Sequence, residues 1–205
     1  MRSMSTLQDT PGFELQLAPD LDEYRPLLAT ALAGLPPLQG KPIALSFLPA
    51  LRAYRGKLLS AGVKGTGVHA AAFLRERRIV LEAGLLRNPR NLSRILVHEL
   101  FHFVWLRLGN ARRRSFGALL ASEIRRRARG ELGWSAEMRK TLLHPGDPIT
   151  HPRRWREYVC ESFCDSAARI YSNQRRHSEY SLARLFRERR RRWFRDTLAG
   201  GPIPI

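Results

Sequence analysis

Residues 98–102 read His-Glu-Leu-Phe-His. On an α-helix, side chains four positions apart lie on one face, one turn apart. His98 and His102 can therefore aim two imidazole nitrogens at one zinc ion, at ~2.0–2.1 Å. Glu99 lies about 100° round the helix, toward an open coordination position. There it can take a proton from metal-bound water. With 6 His and 12 Glu in 205 residues, this H-E-x-x-H pattern has a chance expectation of roughly 0.01. A glutamate among Val97, Leu100, Phe101 and Phe103 is costly to bury without such a task.

A catalytic zinc site needs a third protein ligand and an open position. The segment 156–168 carries Glu157, Glu161 and Asp165 at i, i+4 and i+8, one acidic stripe in a chain short of acids. Cys160, Cys164 and Ala168 form the adjoining stripe of small residues, which lets this helix press close to another. Two readings of the third ligand stand side by side. Glu161 has these small neighbours and a carboxylate one turn on. Glu157 sits near the helix start beside Arg153, Arg154 and Arg156, where a surface ion pair explains it. The balance favours Glu161, with Glu157 as the alternative. The two cysteines read as small core residues, and His69 as structural.

The two segments resemble the gluzincin metallopeptidases, which pair H-E-x-x-H with a glutamate on a later helix, often as E-x-x-x-D. Glu161 to Asp165 has that form. Read on to Ala168, it is similar to the helix of the HtpX-type and Ste24-type peptidases. A register on Glu157, with Phe163 in place, resembles instead the ImmA/IrrE-like helix. The resemblance covers about residues 68–108 and 152–172. It implies a zinc cofactor held by His98, His102 and Glu161, with Asp165 accepting a hydrogen bond from His98. It also implies hydrolysis of a peptide or protein substrate, with Glu99 as general base and then acid. Such peptidases steady the transition state with a His or Tyr. The candidates here are His144, His151, Tyr158, Tyr171, His177 and Tyr180.

What must position these residues? Asn88-Pro89 predicts a helix start, with the helix running to about Leu108 and stopping at Gly109-Asn110. The long acidic-stripe helix spans about Pro152 to Tyr171. Between them, helices are expected over Ser115–Arg129 and Ser135–Leu143, then a turn at residues 144–148. A last helix is expected from about Ser181 to Leu198. Upstream, Asp20 and Glu23 suggest a capping box for a helix through Ala33. Ile43 to Leu48 reads as a strand, and the glycine-rich residues 55–67 as a loop. Val68–Leu74 and Arg78–Leu81 read as a hairpin, placed to bind an extended substrate by β-augmentation. Residues 1–16 and 199–205 read as flexible ends. The expected fold is one α+β domain, zincin-like. Its small N-terminal sheet has an edge hairpin packed on the H-E-x-x-H helix, and its C-terminal half is mostly helical.

Composition narrows the class. No run approaches the ~18–20 apolar residues of a membrane span, and Met1 to Gln16 has no secretory pattern. Two cysteines make no disulfide scaffold. A cytoplasmic protein is expected. Lys and Arg number 36 against 18 acids, a net charge of +18. Arginines cluster at 112–114, 125–127 and 189–192, the last beside Trp193 and Phe194, which could stack on bases. Such clusters suit an acidic protein or nucleic acid. The alternative function is therefore a nucleic-acid-associated regulator with a zincin core that acts by binding.

Overall fold

The computed structural model describes residues 5–7, 12–54, 57–60, 65–144, 146–147 and 151–205. It is α+β, with strands early and helices late. The strands are β1 Ser5–Leu7, β2 Leu15–Leu17, β3 Leu38–Gln39, β4 Ile43–Leu48, β5 Arg52–Tyr54, β6 Lys57–Leu59, β7 Thr66–Gly67, β8 Ala70–Phe73, β9 Arg78–Glu82 and β10 Ile203–Pro204. The α-helices are α1 Arg25–Leu32, α2 Pro89–Arg107, α3 Asn110–Arg125, α4 Trp134–Thr141, α5 Pro152–Tyr171 and α6 Arg184–Leu198.

The main sheet has the order β1-β2-β4-β9-β8. β2, β4 and β9 run parallel, while β1 and β8 pair antiparallel at the two edges. Alternate residues Leu15 and Leu17, Ile43 and Leu45, Ile79 and Leu81 turn into one core with Leu92, Leu96 and Phe103 of α2, as the two-residue period of strands requires. The hairpin expected over 68–81 is β8–β9, and among the described strands β8 is an edge of the sheet, beside α2.

Helix α2 starts where Asn88 accepts a hydrogen bond from the Asn91 amide at 3.2 Å, with Pro89 in the first turn. It stops before Gly109, whose φ of 78° lies in the left-handed region that favours glycine. Its most extensive neighbour is α5. The small residues Cys164, Ala167 and Ala168 of α5 are buried in the shared core, so the two helices can approach closely.

Several expectations are corrected. Asp20 and Glu23 make no capping box; a 3-10 turn spans Pro19–Tyr24, and α1 follows with Pro26 in its first turn. The ends are paired where described: β1 joins the main sheet, and β10 pairs parallel with β3, burying Ile203 and Ile205. The glycine-rich stretch contributes β6 and β7, which both pair with β5. Residues 55–56 and 61–64 of that stretch, and Pro145 and Pro148 of the expected turn, lie outside the described residues. Helix α3 begins five residues earlier than read and ends at Arg125 instead of Arg129, while α6 begins at Arg184 instead of Ser181. No described helix is long and apolar enough to cross a membrane.

The arginine runs do not form uniform surfaces. Arg190 is fully buried, donating to Glu123 at 2.8 and 3.0 Å and to Glu131 at 2.6 and 3.2 Å. Phe194 is buried, and Trp193 packs on Phe116 while donating to Ser115. They hold α6 onto α3 and α5 and do not form a stacking platform for bases.

Candidate metal centre

α2 and α5 face each other across three donor atoms. His98 Nε2 and His102 Nε2 lie 3.2 Å apart. The nearer Glu161 oxygen is 3.4 Å from His98 Nε2 and 3.9 Å from His102 Nε2. One ligand atom from each of the three residues falls within 4.8 Å of the others. A tetrahedral ion with bonds of 2.0–2.1 Å separates its ligands by about 3.3 Å. The chemistry and spacing of this set therefore fit zinc.

The imidazole of His98 is fixed from behind. Its Nδ1–H donates to Asp165 Oδ1 at 2.8 Å, because an ionised carboxylate only accepts. That leaves Nε2 facing His102 and Glu161. The second Asp165 oxygen accepts the Ala136 amide at 3.0 Å, at the N-terminus of α4. Asp165 thus caps one helix while orienting a side chain of another. Gly133 makes this possible: a Cβ there would collide with the Asp165 carboxylate. His102 turns its Nδ1 toward Cys160 Sγ, 3.6 Å away. Cys164 is buried as expected, but Cys160 touches the site. Cys160 and Cys164 form with His102 a second group of close donor atoms.

Charges couple tightly here. Burial acts to lower the His98 pKa, yet Asp165, Glu161 and Glu99 outweigh it and hold the ring well above its ordinary value. His102 shows the same contest, with burial opposed by Cys160 and Glu161, and ends at about 9. Burial would raise Glu161, but the two imidazoles bring it down to about 2. Burial pushes the Glu99 carboxyl up, Glu161 and Asp165 push the same way, and the imidazoles oppose. The hydrogen bond with Cys164 draws the Cys160 thiol down to about 6, assisted by His102. A divalent cation would take the place of protons on the two rings.

Glu157 does not join the set. It pairs with Arg139 at 2.8 Å and Arg153 at 3.0 Å, half exposed. Of the six histidines and tyrosines considered for transition-state contact, none lines the cleft that holds His98 and Glu99. Tyr158 is buried and donates to Glu131, and Tyr171 stacks on Phe101.

The cleft has a volume of about 380 Å³. Thr66 to Ala70, along β7 and the start of β8, form one wall; Ile95, His98 and Glu99 form the floor; Trp134 and Ser135 stand opposite. Residues that sequence reasoning missed also line it. His69 bonds Glu82 at 2.7 Å. Arg94 and the Trp134 amide both reach Glu179, at 3.0 and 2.8 Å. Arg94 carried a usable signal, since it lies one turn before His98 on the same helix face. Trp134 and Glu179 carried none, because long-range pairing brings them there. Protein-family models, curated proteins and solved structures give no match to the chain.

Proposed function

We propose that this chain is a zinc-dependent peptidase of zincin-like fold, with His98, His102 and Glu161 as ligands. The observation that carries the reading is the convergence of those three donor atoms at zinc-ligand spacing, with Glu99 beside them on the cleft floor. Zinc bound there would supply a Lewis acid and a water whose pKa falls to about 7.

The chain's own residues do the rest. Asp165 keeps His98 in the tautomer that presents Nε2 to the ion. Glu99 accepts a proton at its carboxylate and returns it to the departing amine. Its buried position keeps bulk water from competing for that proton. The outer edge of β8 is open for hydrogen bonding, so an extended peptide can add there as a further strand. Ala70, the first residue of β8, lines the cleft with His98 and Glu99, so such a strand would start at the cleft wall. His69, steadied by Glu82, is the one imidazole on the cleft wall outside α2 among the described residues, and it can donate toward a developing oxyanion.

Metal analysis after dialysis against a weak chelator tests the ligand set. The parent and Glu157→Ala should each retain about one zinc per chain, and Glu161→Ala should lose it. Loss from Glu157→Ala with retention in Glu161→Ala would reverse the assignment.

A further inference from the structure

A second cluster lies where α5 passes into α6. Arg169 sits one turn beyond Asp165 on α5. Its guanidinium lies over the Tyr180 ring, 5.3 Å from the centroid, and its Nε is buried with no hydrogen-bond partner. Arg175, Arg187 and Arg191 stand close enough for their charges to act on it; burial lowers its pKa most, Tyr180 opposes, and these three arginines lower it further. On α6, Arg184, Arg187 and Arg191 fall at i, i+3 and i+7, a single stripe about 10 Å long.

The acids nearby are already committed. Glu179 holds Arg94 and the Trp134 amide, and Asp165 holds His98 and the Ala136 amide. Glu123 and Glu131 hold Arg190, and Asp196 holds Arg195. Glu188 remains, exposed on α6 one turn from Arg184 and from Arg191, and it forms no ion pair with either among the described residues. Five guanidiniums gathered beside that single carboxylate repel one another. Guanidinium forks with unused donors are the groups that bind phosphate oxygens, often two at a time.

We propose that Arg169, Arg175, Arg187 and Arg191, continued along α6 by Arg184, form a binding site for the phosphate backbone of a nucleic acid. A single free phosphate would engage only part of a stripe of this length. A bilayer-binding helix needs an apolar face beside its basic one. The large exposed apolar side chain of α6 is Leu185, which projects away from the stripe. The site is independent of the metal reading.

Fluorescence anisotropy with labelled single-stranded and duplex oligonucleotides, over a salt series, tests the site. The parent should bind at about 50 mM salt. The variant Arg175→Gln/Arg187→Gln/Arg191→Gln should bind about tenfold more weakly or worse, with a log–log salt slope smaller by about 2–3. A charge-matched variant, Arg112→Gln/Arg114→Gln/Arg125→Gln, should lose less than about threefold. If the triple variant of the cluster fails to fold, Arg191→Gln alone should lower the slope by about 1. Four results would overturn the proposal: no binding by the parent, equal loss in both triple variants, displacement by inorganic phosphate beyond chloride at equal ionic strength, or equal affinity for phosphatidylserine vesicles.

Discussion

Asp165 joins the candidate metal centre to the fold. One oxygen orients His98 and the other caps α4, so the imidazole is only as well placed as that carboxylate. Asp165→Asn keeps the shape but weakens the acceptor for Nδ1–H. Zinc affinity, read by competition with a chromophoric chelator, should fall about 10–100-fold; an unchanged affinity would remove Asp165 from the account. Gly133→Ala tests the same contact from the other side. Its backbone is extended, which any residue adopts, so the substitution acts only through its methyl group, which displaces the Asp165 carboxylate. It should weaken zinc by about tenfold or more, while Gly67→Ala, where a Cβ meets nothing, should not. The sequence disclosed the role of Asp165 through its place one turn after Glu161. It disclosed nothing about Gly133, because that contact spans 32 positions.

At the scale of elements, legibility followed locality. The bounds of β4 and α5 were read as they are, and those of α2 within a residue, because prolines, Asn88 and Gly109 mark them within a few positions. The strands β1, β2 and β10 are two or three residues long, and β2 and β10 pair with strands 28 and 165 positions away, so their own residues carry little pattern to announce them. Arg190 was lost in a basic run for the same reason: its partners Glu123 and Glu131 are 67 and 59 positions away. That buried network ties α3, α5 and α6, since Arg190 also donates to Ser162 and Tyr158 donates to Glu131. Removing one charge of a buried pair strands the other. Arg190→Met should therefore cost about 3–5 kcal/mol in chemical denaturation, whereas Arg192→Met, exposed on the same helix, should cost less than about 0.5 kcal/mol. The network also sets a pH dependence. Burial would raise the Glu131 carboxyl, but Arg190 outweighs it and holds it below its ordinary value of 4.5. A depressed carboxyl stabilises the fold above that value and loses this contribution as pH falls below it. Glu123 is shifted the other way by its own burial, so the acid-side loss belongs to Glu131. Glu131→Gln should be less stable at neutral pH and show a shallower loss below pH 4.5 than the parent; parallel curves would contradict this.

Across the whole molecule, the net charge of +18 is unevenly used. Some arginines are structural, as Arg190 is; others, along α6 and at the end of α5, have no carboxylate partner among the described residues. The candidate metal centre lies in an acidic patch within this basic chain, and Glu99, Glu161 and Asp165 gather there from two helices. The central claim is that Glu99 moves the proton while leaving zinc in place. The most direct test is hydrolysis of an unstructured, fluorophore-labelled protein by parent and Glu99→Gln, each shown to carry zinc. The parent should cleave it, stop on chelation and recover with zinc. Glu99→Gln should hold about one zinc per chain and lose activity by about 10²–10⁴-fold. A zinc-loaded parent that leaves the substrate intact, or a Glu99→Gln variant as active as the parent, would contradict the account.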